Sequence, residues 1–92
     1  MSVYPNPFDE QSTFNYRLTN WADEVKIRIY TISGRLLAEL DGTRNPGCSQ
    51  VAWNGLDRDH DPVSNGVYIF RIKASGGGRD DVQTGRIIRS RR

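Results

Sequence analysis

One cysteine and one histidine are all this chain holds of the two residues most used in nucleophilic and metal chemistry. A lone Cys48 cannot close an intrachain disulfide, so cysteine usage favours neither an oxidising nor a reducing compartment, and stability must come from packing. Long apolar runs are missing as well. A membrane-spanning helix needs about 20 near-continuous apolar residues, and the longest stretch, Glu24 to Leu40, is interrupted by Lys26, Arg28, Gly34, Arg35 and Glu39. No direct membrane span is expected. The opening Met1-Ser2-Val3-Tyr4-Pro5-Asn6-Pro7 lacks the basic-then-apolar pattern of a secretory signal, so an export address is expected elsewhere. A charge field of one sign is missing too. Thirteen basic residues against eleven acidic give +2, but Arg86, Arg89, Arg91 and Arg92 crowd the end, and residues 1–85 carry nine basic and eleven acidic groups, a net of −2. The body therefore has no electrostatic footprint for nucleic acid, and none is expected as a partner.

What is present is a period of two. In a stretch of 92 residues, enough for one small domain, Phe14, Tyr16 and Leu18 alternate with Thr13, Asn15 and Arg17, and Val25, Ile27 and Ile29 alternate with Lys26 and Arg28. Such alternation describes strands with one dry and one wet face. Ser33-Gly34 marks a hairpin turn before Leu36 to Leu40, and Asp41 to Gly47 reads as a loop. Val51 and Trp53 mark a short strand, and Asn54 to Asn65 a long polar loop. Tyr68, Phe70 and Ile72 share one strand face, the run Gly76-Gly77-Gly78 is expected at a flexible tip, and Val82 to Ile88 forms the last strand. With a pairing segment near Val3-Tyr4, the pattern predicts an all-β fold, an immunoglobulin-like antiparallel β-sandwich of six or seven strands. Trp53, Phe14, Tyr68 and Phe70 are the expected large core side chains.

Candidate chemistry is sparse. Cys48, expected where a loop meets a strand and partly buried, and His60, expected in a solvated loop, do not read as a nucleophile and base. The pairs Asp9-Glu10, Asp23-Glu24 and Asp80-Asp81 are adjacent, so on extended chain their side chains point to opposite faces. Asp57, Asp59 and Asp61 alternate as hard-cation ligands can, but Pro62 and Tyr68 stand where a helix-loop-helix calcium loop needs Gly and Glu. A structural turn is expected there, with no metal and no cofactor. The four terminal arginines lack interleaved aromatics, and the plain reading of them is a last strand with a frayed basic end.

The segment Tyr4-Pro5-Asn6-Pro7-Phe8, stiffened by two prolines, opens an ordered set of motifs. It is followed by Thr13 to Leu18, by Ile29-Tyr30-Thr31-Ile32-Ser33-Gly34-Arg35, by Val51-Ala52-Trp53-Asn54-Gly55, by Val63-Ser64-Asn65-Gly66-Val67-Tyr68, and by Arg86-Ile87-Ile88-Arg89. Taken together over residues 3–89, these resemble the C-terminal sorting domains attached to proteins exported by the type IX secretion system. Related immunoglobulin-like modules occur in the flagellar hook-capping protein and at the ends of secreted peptidases and glycoside hydrolases.

The resemblance implies a non-catalytic sorting module of a larger exported bacterial protein, passing through the periplasm to the cell surface or the medium. Its expected partners are the secretion and surface-attachment machinery and the N-terminal domains of the parent. Arg86, Ile87, Ile88 and Arg89 are the expected recognition residues, while Tyr4, Pro5, Asn6, Pro7, Phe8, Gly34, Trp53, Gly55, Gly66 and Tyr68 have structural roles in the motifs. Met1-Ser2 is expected to be an expression start, residues 3–89 the domain and 90–92 a basic tail. The alternative is an interaction or adhesion module, carbohydrate-binding or of the hook-capping kind. An open Trp21 or tyrosine face would mark a sugar platform.

Overall fold

The computed structural model describes residues 2–91. Among the described residues seven strands follow one another without a helix: β1 (Ser2–Tyr4), β2 (Ser12–Leu18), β3 (Glu24–Tyr30), β4 (Leu36–Asp41), β5 (Gly47–Trp53), β6 (Gly66–Gly76) and β7 (Arg79–Arg89). They form two antiparallel sheets, one ordered β1-β2-β5 and the other β4-β3-β6-β7. The fold is an immunoglobulin-like β-sandwich, as the alternation of side chains predicts.

The period-two residues meet between the sheets. Phe14 and Tyr16 of β2 face Val25, Ile27 and Ile29 of β3 and Tyr68, Phe70 and Ile72 of β6, and all are buried. Trp53 closes the core from the end of β5. Its ring tilts against Phe8 at 5.4 Å between centroids, and its indole Nε1 donates to the Leu56 carbonyl at 3.0 Å, so the one polar atom of the ring is satisfied. Phe14 and Phe70 meet edge to face at 5.1 Å across the sheets.

Three boundaries differ from the sequence reading. The strand around Val51 begins earlier, at Gly47, because Cys48, Ser49 and Gln50 pair through their backbones with Arg17, Tyr16 and Asn15. Backbone pairing requires no apolar side chains, so the polar half of this strand left no periodic signal. Cys48 is accordingly an exposed strand residue, not a partly buried one. The glycine run is also more ordered than expected. Gly76 belongs to β6, and only Gly77 and Gly78 turn, with φ of 59° and 76°. Two positive-φ residues are what a two-residue hairpin turn needs to follow the strand twist, so pairing resumes at once and β7 starts at Arg79 rather than Val82. Ser2, assigned to the expression start, lies in β1 opposite Asn15; Met1 and Arg92 lie outside the described residues.

With Trp53 1% exposed, Trp53→Ala is expected to lower stability by about 3–5 kcal/mol through lost contact and the cavity left behind. Equilibrium denaturation measures this, and an unchanged midpoint would contradict the burial.

Candidate functional site

The chain's beginning and end are built into one structure. Asn6 projects its amide onto the rim of β7: its Oδ1 accepts from the Ile88 amide at 2.9 Å, and its Nδ2 donates to the Arg86 carbonyl at 3.0 Å. One side chain thus imitates a residue of a neighbouring strand. Phe8 continues the mimicry with its own backbone, donating to the Ile88 carbonyl at 2.8 Å and accepting from the Ser90 amide at 2.9 Å. The Ser12 hydroxyl, fully buried, donates to the Pro5 carbonyl at 2.7 Å and ties the same segment to β2. An outermost strand normally leaves a row of unpaired backbone groups. Here the motif segment covers that row from Arg86 to Ser90.

The expected recognition residues divide by strand alternation. Arg86 is exposed and Ile88 half-exposed, while Ile87 and Arg89 point inward and are buried. Ile87 and Arg89 are therefore not surface residues as expected, because residues two apart share a face and Ile87 anchors that face in the core. Arg89 is the unusual member. Its Nε donates to the Asp9 carbonyl at 3.1 Å, and one terminal nitrogen donates to the carbonyls of Gly55 at 2.8 Å and Val63 at 3.2 Å. The guanidinium lies 5.5 Å from the Phe8 ring centroid, a cation–π arrangement. A buried charge needs such partners or it would be strongly destabilising. Gly55 is required beside it twice over: its φ is 74°, and a Cβ there would stand 2.6 Å from the Arg89 guanidinium.

The basic tail is held rather than frayed as far as Arg91. The Asn65 side chain accepts from the Arg91 amide and donates to the Arg91 carbonyl, both at 2.8 Å. Gly34 and Gly66 occupy positive-φ turn positions before β4 and at the start of β6. Tyr68, near the start of β6, donates its hydroxyl to the Ser64 carbonyl four residues upstream, the tyrosine corner common in immunoglobulin-like sandwiches.

The aspartate loop is a turn built around one carboxylate. Asp57 Oδ1 accepts from the amides of Asp59 at 2.8 Å and Asp61 at 3.0 Å, while the Asp57 amide donates to the Asp61 carbonyl. His60 sits at the bend with φ of 66°. Asp57 is thereby committed to backbone donors, as Asp commonly is in loops, and no group of three or more metal-ligating residues stands together among the described residues. Cys48 lies at the start of β5 and His60 in the loop beyond its end, with a strand span of about 17 Å from Cys48 to Trp53 between them.

At the far end of the sandwich from Arg89, Trp21 stands 70% exposed beside an open groove that sequence reading did not locate. Tyr4 is also exposed.

Residues 4–78 match the family described as the FlgD Ig-like domain. The chain belongs to this family. The match takes in the motif segment, the tryptophan strand and β6, and stops at the turn before β7. No curated protein matches the sequence. Among solved structures, the FlgD Ig-like domain described here is similar to part of dimeric latent PorU from Porphyromonas gingivalis, with a TM-score of 0.85 at 20% identity, covering 99% of this chain and 9% of that one. It is similar to FlgD from P. aeruginosa with a TM-score of 0.71 at 18% identity, covering 92% and 70%. It is also similar to PorZ, described as an essential surface component of the type IX secretion system of Porphyromonas gingivalis, with a TM-score of 0.65 at 24% identity, covering 98% and 11%. The chain thus spans about a tenth of PorU and PorZ.

The tyrosine corner of this FlgD Ig-like domain carries a pH signature. Burial pushes the Tyr68 phenol above its ordinary value, partly offset by the nearby Arg89 charge. The neutral phenol is the form the fold favours, so the stabilisation is complete below the ordinary tyrosine value of about 10 and is lost as pH rises through the higher folded value. Urea midpoints measured from neutral into strongly alkaline pH are expected to fall more steeply for the parent chain than for Tyr68→Phe. Equal slopes would contradict the assignment.

Proposed function

We propose that this FlgD Ig-like domain is a non-catalytic C-terminal module of a larger exported protein, recognised by the type IX secretion machinery. The observation that carries the reading is the ordered set of motifs from Tyr4 to Arg89, the last of which lies in β7, beyond the end of the family match. The likeness of fold to PorZ, described as a surface component of the type IX secretion system, supports it further. A module read at its end needs a terminus held in one shape, and the Asn6 and Arg89 contacts supply that rigidity.

What the machinery meets follows from the same contacts. The backbone of β7 between Arg86 and Ser90 is already bonded by Asn6 and Phe8, so recognition by strand addition there would have to displace them. The available features are the exposed side chains of Arg86 and Arg91 and the half-exposed Ile88. Asp9 stands 3.8 Å from Arg91 and tempers the charge at its margin.

The test is a fusion of residues 3–92 behind a signal peptide and a reporter, expressed in a bacterium with type IX secretion. The reporter is expected at the cell surface. Arg86→Glu combined with Arg91→Glu is expected to reduce the surface fraction while circular dichroism stays unchanged, since both side chains are exposed. Deleting residues 86–92 is unsuitable, because it removes Ile87 and Arg89 from the interior. Retention of the intact, folded fusion in the periplasm would overturn the proposal.

A further inference from the structure

The end of the sandwich opposite Arg89 is built differently. Among the described residues β1 pairs with β2 from Thr13 to Asn15, and β2 runs on beyond it from Tyr16 to Leu18. Facing it, Arg79, Asp81 and Gln83 lie on the same face of β7 as buried Ile87, yet all three are exposed because the shorter sheet does not reach over them. Between the two lies an open groove of about 420 Å³, within the size range of small-ligand sites. Ile72 and Ala74 form its apolar floor, and Trp21 stands at its end.

We propose that this groove binds an oligosaccharide of equatorially substituted pyranose units, with Trp21 as the stacking platform. Trp21 is not loose. The residue after it donates its amide to the Arg44 carbonyl at 3.0 Å, and Asp23 donates to the Ser75 carbonyl at 2.7 Å, so backbone bonds fix the loop while the indole is left 70% in water. An aromatic ring held out by its loop, at the mouth of a groove, lowers the ordering cost of a ligand that stacks on it.

The polar lining selects among ligands. Arg79 offers donors only, Asp81 acceptors only, and Asn20 and Gln83 both. A simple anion would meet Asp81, and a simple cation would meet the Arg79 guanidinium. A sugar hydroxyl both donates and accepts, so every one of these groups can serve it. Equatorial substitution leaves the ring faces lined by C–H, which is the apolar surface an indole can cover. A single-stranded nucleic acid could also stack on Trp21, but it requires a cationic groove along its backbone, and here the Asp81 carboxylate stands in the lining with Arg79. The site is separate from Arg86 and Arg91, and the proposal does not depend on the export role.

The experiment titrates the intact chain with cellohexaose and with chitohexaose, reading tryptophan fluorescence. Trp53 is 1% exposed, so a ligand-dependent change reports Trp21. Saturable quenching by at least one sugar in the millimolar range or below is expected. By calorimetry, Trp21→Ala is expected to weaken that sugar by at least about tenfold, equivalent to about 1.4 kcal/mol, and Gln83→Ala to weaken it less, with circular dichroism unchanged in both. Absence of a response to either sugar, an affinity unaltered by Trp21→Ala, or a response to a poly-dT oligonucleotide in place of the sugars would each overturn the proposal.

Discussion

A single buried arginine joins the parts of this sandwich that are farthest apart in sequence. Arg89 gives its protons to carbonyls of the lead-in segment, of the turn after β5 and of the long loop before β6, with no carboxylate among its partners. In a low-dielectric interior these charge-assisted bonds are strong, and each acceptor would cost free energy if left bare. The positions around Arg89 are constrained in turn. Gly55 must lack a side chain to admit the guanidinium, Phe8 must present its ring to it, and Val63 must bring its carbonyl within reach. Several motif residues that look unrelated along the chain are therefore parts of one contact set.

The same contact set gives the molecule two unlike ends. At the Arg89 end, Asn6 and Phe8 occupy the outer rim of β7, so the strand that ends the fold offers no free backbone there. At the other end, about 33 Å away along the eleven residues of β7, the hairpin outruns the opposing sheet and Trp21 faces water. A module of this kind can be held rigidly at its terminus and still carry a binding face, because the two ends share β6 and β7 but no side chain. The likeness of fold to PorU, PorZ and FlgD, at 18–24% identity, locates the scaffold rather than the role.

Much of the scaffold was legible in the sequence. Alternation located β2, β3 and β6, and Trp53 was identifiable as a core residue because a large aromatic at the end of a short apolar strand has few other places to go. Cys48 to Gln50 was not legible as strand, since its pairing is carried by backbone alone. The site was less readable still. Alternation applied to Arg86 through Arg89 already separates Ile87 and Arg89 from Arg86 and Ile88, and that signal was available in the sequence. What turns Arg89 inward is a ring of backbone carbonyls contributed by residues 9, 55 and 63, and no local pattern reports their convergence. Asn6 is similar: its bonds to Arg86 and Ile88 join residues 80 and more positions apart. The Trp21 groove depends on how far the β6–β7 hairpin outruns β2, which is a property of pairing rather than of composition.

The most direct test of this account compares the stability of Arg89→Met with that of Arg86→Met by equilibrium denaturation. Methionine fills much of the space but donates nothing, so at position 89 it takes the guanidinium donor from the Asp9 and Val63 carbonyls and one of two donors from the Gly55 carbonyl, which keeps the Val63 amide. Arg89→Met is expected to lose several kcal/mol, at about 1–3 kcal/mol for each buried acceptor stranded, whereas Arg86→Met, on the exposed face, should stay within about 0.5 kcal/mol of the parent. Equal midpoints for the two variants would contradict the claim that Arg89 holds the ends of the chain together.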